Sequence, residues 1–276
     1  MSKADVQFVE MCRDILDHGY SSEGQKVRAR WSDGTPAHTI KSFCVVGRYD
    51  LTEEFPALTL RPTYIKSAVD EMLWIWQKKS NRTADLKSRI WDEWADEEGT
   101  IGKAYGYQMG VKYRFPFGEM DQVDAVIWQL KNTPYSRRIL TSMYNFRDLT
   151  EMGLEPCAYS MTFNVTGNRL NAILNQRSQD ILTANNWNVV QYAVLVHMLA
   201  QTCGLEAGEL VQVISDAHIY DRHVEIVREL IERPQYPAPT FRLNPEVKNF
   251  YDFTTDDIVI ENYRANPQVK DIPVAI

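Results

Sequence analysis

Apolar residues recur at helical spacing through residues 4–17. Val6, Phe8, Val9, Met11, Cys12, Ile15 and Leu16 fall on one stripe, and His18-Gly19 supplies a stop. Residues 37–51 and 56–60 alternate apolar with polar, the pattern of half-buried strands. Residues 63–77 are apolar almost throughout and read as a helix whose buried side is interrupted by Glu71. Trp91 and Trp94 stand three apart in 90–95, where core packing is the simplest role for a Trp pair. Residues 120–132 predict another helix and 139–144 a short strand. Tyr159 to Val165 alternates, Thr166-Gly167-Asn168 reads as a turn, and Leu170 to Gln176 alternates back, which predicts a β-hairpin. A long buried helix follows from Trp187 to Cys203, with Asn185 and Asn186 ahead of it as capping candidates, then a strand over 209–216. Beyond the proline-rich connection Pro234–Pro239 the chain alternates and closes on Ile272-Pro273-Val274-Ala275-Ile276. An end that stays apolar is expected to dock, since most ends are polar and frayed.

The length of 276 residues suits a single domain over 1–276 with a sizeable core. Apolar residues make up 44% and charged residues 24%, which places the chain among ordinary globular proteins. A net charge of −7 argues against DNA as a partner, so any phosphate site must be a local arginine pocket. The four cysteines lack C-x-x-C spacing and fit reduced thiols in a cytoplasm. No apolar run is long enough to span a bilayer, which argues against a membrane partner, and the first residues lack a signal-peptide core. His218 and His223 are five apart with no further close ligand, so no metal is expected. G-x-G-x-x-G and P-loop motifs are absent.

The candidate chemistry gathers between Glu155 and Asn188. Cys157 opens one strand of the hairpin and Arg177-Ser178-x-Asp180 closes the other, so a thiol and a guanidinium arrive side by side. A neighbouring cation favours the thiolate, the nucleophilic form. Glu71, if it faces inward, needs a partner, because an unpaired buried carboxylate costs several kcal/mol. Tyr105, in Gly-Lys-Ala-Tyr-Gly, is placed for presentation to a cleft. Arg28 lies in a flexible loop, and two basic residues there (Arg28, Arg30) are most simply solvated. Arg137 and Arg138 precede a strand, where neighbours point to opposite faces. His218 and Tyr220 share a face of an extended segment. His197, in the buried helix, reads as a satisfied core histidine.

Taken in order, DEMLWIWQ, IWDEWADEEGTIGKAYGYQ, SRRI, EPCAYS, NQRSQD, WNVVQYAVLVHMLAQ, SDAHIYDRH and the terminal PVAI resemble the thymidylate synthases over nearly the whole chain. The resemblance implies an α/β fold, one large mixed sheet flanked by helices, and two subunits packed sheet to sheet as a homodimer. It implies reductive methylation of dUMP to dTMP, with 5,10-methylenetetrahydrofolate as co-substrate and dihydrofolate as by-product. Cys157 is then the nucleophile at C6 of the uracil. Arg177, Arg28 and Ser178 hold the phosphate, Arg177 also lowers the thiol pKa, and Arg137 and Arg138 complete the partner's phosphate site. Asn188 reads O4 and N3, and His218 and Tyr220 hold the ribose hydroxyl. Glu71 organises proton transfer at the base and Tyr105 helps remove the C5 proton. Asp180 lies between nucleotide and folate. Trp91 meets the folate with Trp94, Trp187 and Ala275 beside it, and the Ile276 tail folds over the site.

The chain departs from the family pattern in Thr183-Ala184-Asn185-Asn186-Trp187-Asn188, where Leu-Gly-x-Pro-Phe-Asn is usual. Ala158, Asn175 and Ser215 also depart from it. A more polar loop at the folate pocket admits the alternative in which water quenches the shared intermediate, that is, hydroxymethylation of dUMP. A nucleotide-binding regulator without chemistry is the third reading, and the survival of Cys157, Glu71 and Tyr105 counts against it.

Overall fold

The structure, a computed structural model, describes residues 1–276. In chain order the elements are α1 (Lys3–His18), β1 (Tyr20–Ser21), β2 (Thr39–Asp50), α2 (Ile65–Trp76), α3 (Gly106–Gly110), β3 (Lys112–Phe115), β4 (Gly118–Asp121), α4 (Gln122–Asn132) and β5 (Ile139–Ser142). They continue with β6 (Ala158–Thr166), β7 (Arg169–Gln176), β8 (Gln179–Asp180), α5 (Asn185–Cys203), β9 (Glu206–Tyr220), α6 (Val224–Ile231), β10 (Thr240–Leu243) and β11 (Ile258–Glu261). Strands β1-β2-β9-β7-β6-β5 lie side by side in one mixed sheet, and β8 extends the edge of β9 beyond β7. All its ladders are antiparallel except those of β7 and β8 with β9. The parallel pair needs a crossover, and α5 supplies it. The fold is therefore α/β, with helices packed on one large mixed sheet.

Helix α1 starts where Ser2 Oγ accepts the Ala4 N–H at 3.2 Å, and it ends where the Gly19 N–H reaches Ile15 O. Its stripe buries Phe8, Val9, Met11, Cys12 and Ile15. Helix α5 is buried on most of its circumference, polar Asn185, Asn186 and Gln191 included, and closes on Gly204 at φ 70°. A single cluster of 59 buried apolar residues runs from Ala4 to Ile258, so α1, α2, α5 and the inner sheet face share one core. The β6–β7 turn consists of Gly167 and Asn168, and Gly167 takes φ 62°, where a Cβ would be strained. The opposite sheet face leaves Phe43, Val46, Leu140 and Ile173 exposed.

Most predicted elements appear within a few residues, with β9 running seven residues further in total than the 209–216 strand. The strand predicted over 56–60 does not form. Side chains take its backbone groups before a ladder can. Asn186 Oδ1 accepts from Leu58 N–H at 3.0 Å, Asp5 Oδ1 accepts from Thr59 N–H at 2.8 Å, and Tyr263 Oη donates to Leu58 O at 2.7 Å. The helix expected from Trp187 begins at Asn185, and neither Asn185 nor Asn186 caps it; both side chains point inward. His197 is half-buried and not deep in the core. It has no hydrogen-bond partner, packs 4.5 Å from the Phe241 ring, and burial pushes its pKa down to about 4.

Candidate active site

The parallel β7–α5–β9 unit decides where the chemistry sits. In such units ligands bind beyond the carboxyl ends of the strands. Arg177 and Ser178 follow the end of β7, Asn188 stands in the first turn of α5, and His218 and Tyr220 end β9. Strand β6 runs antiparallel to β7 with Ala158 opposite Gln176, so its first residues lie at that same end. Residues twenty positions apart therefore meet: the Arg177 N–H donates to Cys157 O at 3.0 Å.

The Arg177 guanidinium grips the strand that delivers the thiol. Its Nε donates to Pro156 O at 3.1 Å and its Nη2 to Glu155 O at 2.7 Å. From the far side, the Cys157 N–H donates to Tyr105 Oη at 3.0 Å. Tyr105 is buried with φ 42°, a strained conformation for a side chain with a Cβ. The next residue, Gly106, lies against Ser80, where a Cβ would stand 2.1 Å from the carbonyl oxygen. The expected lowering of the thiol pKa is not the net result. Burial pushes the Cys157 thiol up, and the Arg177 and Arg28 charges, which pull it down, do not outweigh burial. Both cations nevertheless act on this sulfur. Burial, with the Cys157 charge next, likewise keeps the Tyr105 phenol well above its ordinary value.

Glu71 does face inward and is surrounded by donors. Trp91 Nε1 donates to Oε1 at 2.6 Å, Gln191 Nε2 donates to Oε2 at 2.6 Å, and Trp187 Nε1 also donates to Oε2. Burial raises the carboxyl above its ordinary value of 4.5, and the three N–H bonds work against that rise. Asn188 Oδ1 accepts from Gln176 Nε2 at 3.1 Å and Gln179 Nε2 at 3.2 Å, while its Nδ2 donates to Gln191 Oε1 at 2.9 Å. Gln176, Gln179 and Gln191 escaped the sequence reading. The signal for Gln191 was available: it is a polar residue within the apolar run Val189–Val196 of the helix, one turn from Asn188 on the same face.

At the end of β9, His218 Nδ1 pairs with Asp216 Oδ1 at 2.9 Å and its ring lies 5.1 Å from that of Tyr220. Asp180 accepts from Leu182 N–H, Thr183 N–H and Thr183 Oγ1 at 3.0, 3.2 and 2.6 Å. His223, fully buried, pairs through Nε2 with Pro273 O at 2.7 Å and turns Nδ1 toward Asp180 Oδ1 at 3.8 Å. A carbonyl only accepts, so Nε2 carries the proton, and Nδ1 is left facing a carboxylate. Burial opposes charge on both groups, yet their mutual attraction holds His223 above 6.5 and Asp180 below 3.8. The sign follows by linkage. The raised His223 stabilises fully below pH 6.5, and its contribution is lost as pH rises through the folded value. The lowered Asp180 stabilises above pH 3.8, and its contribution is lost as pH falls through its folded value. Asp180→Asn is therefore expected to lower stability by about 2 kcal/mol between those limits, with the deficit shrinking in alkali, as thermal unfolding across pH will register.

The tail docks through its backbone, while its apolar side chains Val274 and Ile276 stay exposed, so its composition is not what holds it. The Ile276 N–H donates to Arg30 O at 2.9 Å and the Arg30 N–H returns a bond to Ile276 O at 2.7 Å. This ties the terminus to the loop that carries Arg28. Trp91 is buried and meets Trp94, half-buried, edge to face at 5.6 Å, in a short 3-10 turn and not an α-helix. Trp187 spends its indole N–H on Glu71, and Ala275 is half-buried. Ser178 is half-buried in the link between β7 and β8. Arg137 and Arg138 lie exposed in the turn before β5, without an acidic partner in this chain. They are brought near neither Cys157 nor Arg177 by any hydrogen bond or ion pair.

The departing loop is polar, but its polar groups turn away from solvent. Thr183 bonds Asp180, Asn185 bonds Gln212 at 3.3 Å, Asn186 bonds Thr63 and Pro56 O at 2.5 and 2.9 Å, and Trp187 bonds Glu71. Protein partners consume the hydrogen-bonding capacity that would otherwise hold water.

Comparison with known proteins places these features in company. The family model described as Thymidylate synthase matches residues 6–276. Thymidylate synthase 1 of Bacillus subtilis (strain 168) is 45% identical over 269 residues, covering 96% of each chain. The thymidylate synthase of Bacillus phage phi3T is 44% identical over the same share. The solved structure of thermostable thymidylate synthase A from Bacillus subtilis superposes with a TM-score of 0.94 at 42% identity, covering 99% of each chain.

Proposed function

The chain belongs to the thymidylate synthase family, and on that premise we propose that it converts dUMP to dTMP by reductive methylation, with 5,10-methylenetetrahydrofolate as co-substrate and dihydrofolate as by-product. The observation that carries the reading is the setting of Cys157: a half-buried thiol on which two guanidinium groups act, with Arg177 bonded to the two preceding carbonyls.

In this reading Cys157 adds to C6 of the uracil, and C5 becomes electron-rich. Phosphate binding falls to Arg28, Arg177 and Ser178. Arg137 and Arg138, unpaired in their own chain, serve the phosphate of a second copy. A homodimer packed sheet to sheet is supported by the exposed Phe43, Val46, Leu140 and Ile173, which form an apolar face of the kind that meets a partner. Asn188 reads the base edge, and His218 and Tyr220 hold the ribose. Glu71, ringed by donors, stays an acceptor and orders the groups that move protons at the base. Tyr105, whose Oη accepts the Cys157 N–H, helps remove the C5 proton, passing its own phenolic proton on as it receives one. The folate would be held by the Trp91–Trp94 pair, by the ionised Asp180 as an acceptor and by the Ile276 tail. When bound, the folate supplies the one-carbon unit and the hydride.

Hydride as the quencher, in place of water, is supported by the inward bonding of Thr183 to Trp187 described above. Incubation with dUMP and methylenetetrahydrofolate is expected to raise the dihydrofolate absorbance in step with dTMP. A product carrying an extra oxygen by mass spectrometry, without that rise, overturns the proposal in favour of the hydroxymethylase.

A further inference from the structure

Asn188 discriminates bases only if its amide is held in one sense, because rotating it by half a turn exchanges its donor and acceptor. Its own neighbours Gln176 and Gln179 do not fix that sense. They are amides too, joined through Gln212 to Asn185, and with Asn188 these five amides can reverse together with the bonds among them remade. Gln191 is different. One N–H of its Nε2 donates to Ala68 O at 3.0 Å and the other to Glu71 Oε2 at 2.6 Å. A backbone carbonyl and a carboxylate ringed by N–H groups accept and never donate, so Gln191 cannot turn over without facing oxygen to oxygen twice. Its Oε1 is thereby committed to Asn188 Nδ2, 2.9 Å away.

We propose that Gln191 is a positioning residue for base specificity: pinned by Ala68 O and Glu71, it locks Asn188 in the sense that matches uracil and opposes cytosine. The inference rests on the function proposed above. It gives helix α2, through Ala68 and Glu71, a part in choosing the base.

The test is binding of dUMP and dCMP, by calorimetric titration, to the parent, Gln191→Met, Asn188→Ala and the double variant. Methionine keeps the length of glutamine and forms none of these three bonds. Gln191→Met is expected to lower the ratio of dUMP to dCMP affinity about tenfold, the effect of one well-placed hydrogen bond. Asn188→Ala should lower it at least as far, and the double variant no further than Asn188→Ala, since Gln191 acts through that amide. A structural role alone would weaken both nucleotides equally and leave the ratio unchanged, which overturns the inference. Effects that multiply in the double variant overturn it as well. A parent that does not bind dUMP overturns the functional proposal itself, and the inference with it.

Discussion

Cys157→Ser is expected to bind dUMP within a fewfold of the parent and to turn it over slower by a factor on the order of 10⁴ or more. The substitution exchanges one atom and leaves the surrounding grip intact. Arg177 bonds the carbonyls of Glu155 and Pro156, not the sulfur, and Tyr105 bonds the backbone N–H. Nucleotide affinity therefore has no reason to fall far. The chemistry does, because an alcohol is far less acidic than a thiol and burial penalises its anion as well. In the parent, burial already raises the thiol against the pull of Arg177 and Arg28. Steady-state kinetics beside a dUMP titration provides the check. Turnover comparable to the parent removes Cys157 from the mechanism.

Glu71→Gln is expected to lower kcat by about 10²–10³ while dUMP affinity changes little. Three N–H donors converge on a group that only accepts. A carboxamide brings an NH₂ among them, so one of Trp91, Trp187 and Gln191 must face another donor. The variant loses both the proton-handling group and the geometry that ordered it. Trp187→Phe supplies the graded comparison: one donor is removed, two remain, and the expected loss in kcat is about tenfold or less. Equal losses from Trp187→Phe and Glu71→Gln would show that the indole acts otherwise than through this carboxylate.

Residue types and local periods made much of this protein readable. The alternation of Tyr159–Val165 and Leu170–Gln176 about a glycine turn specified the hairpin, and the hairpin alone brought Cys157 beside Arg177. The end docks as expected but through its backbone, since Val274 and Ile276 remain exposed. The segment 56–60 misled because alternation reports burial on one side, not the origin of the hydrogen-bond partners. Asp5 and Asn186, 54 and 128 positions away from where they bond, supplied them. Asn185 and Asn186 misled for the related reason that an asparagine before a helix bonds as well into a core as onto a backbone end.

The sequence by itself determined the chemistry at hand: one thiol in a strand-opening position, arginines near it in the hairpin, a carboxylate in an apolar helix, and the family those motifs resemble. Tertiary structure decided what those groups are to one another. It chose three N–H partners for Glu71, pinned Gln191 between two acceptors, paired His223 with Asp180, and raised the Cys157 thiol where local reasoning lowered it. The physical reason is that a titration or a hydrogen-bond sense is a small difference between burial and charge. Both depend on distances set by the closed sheet and by helices brought together from remote parts of the chain.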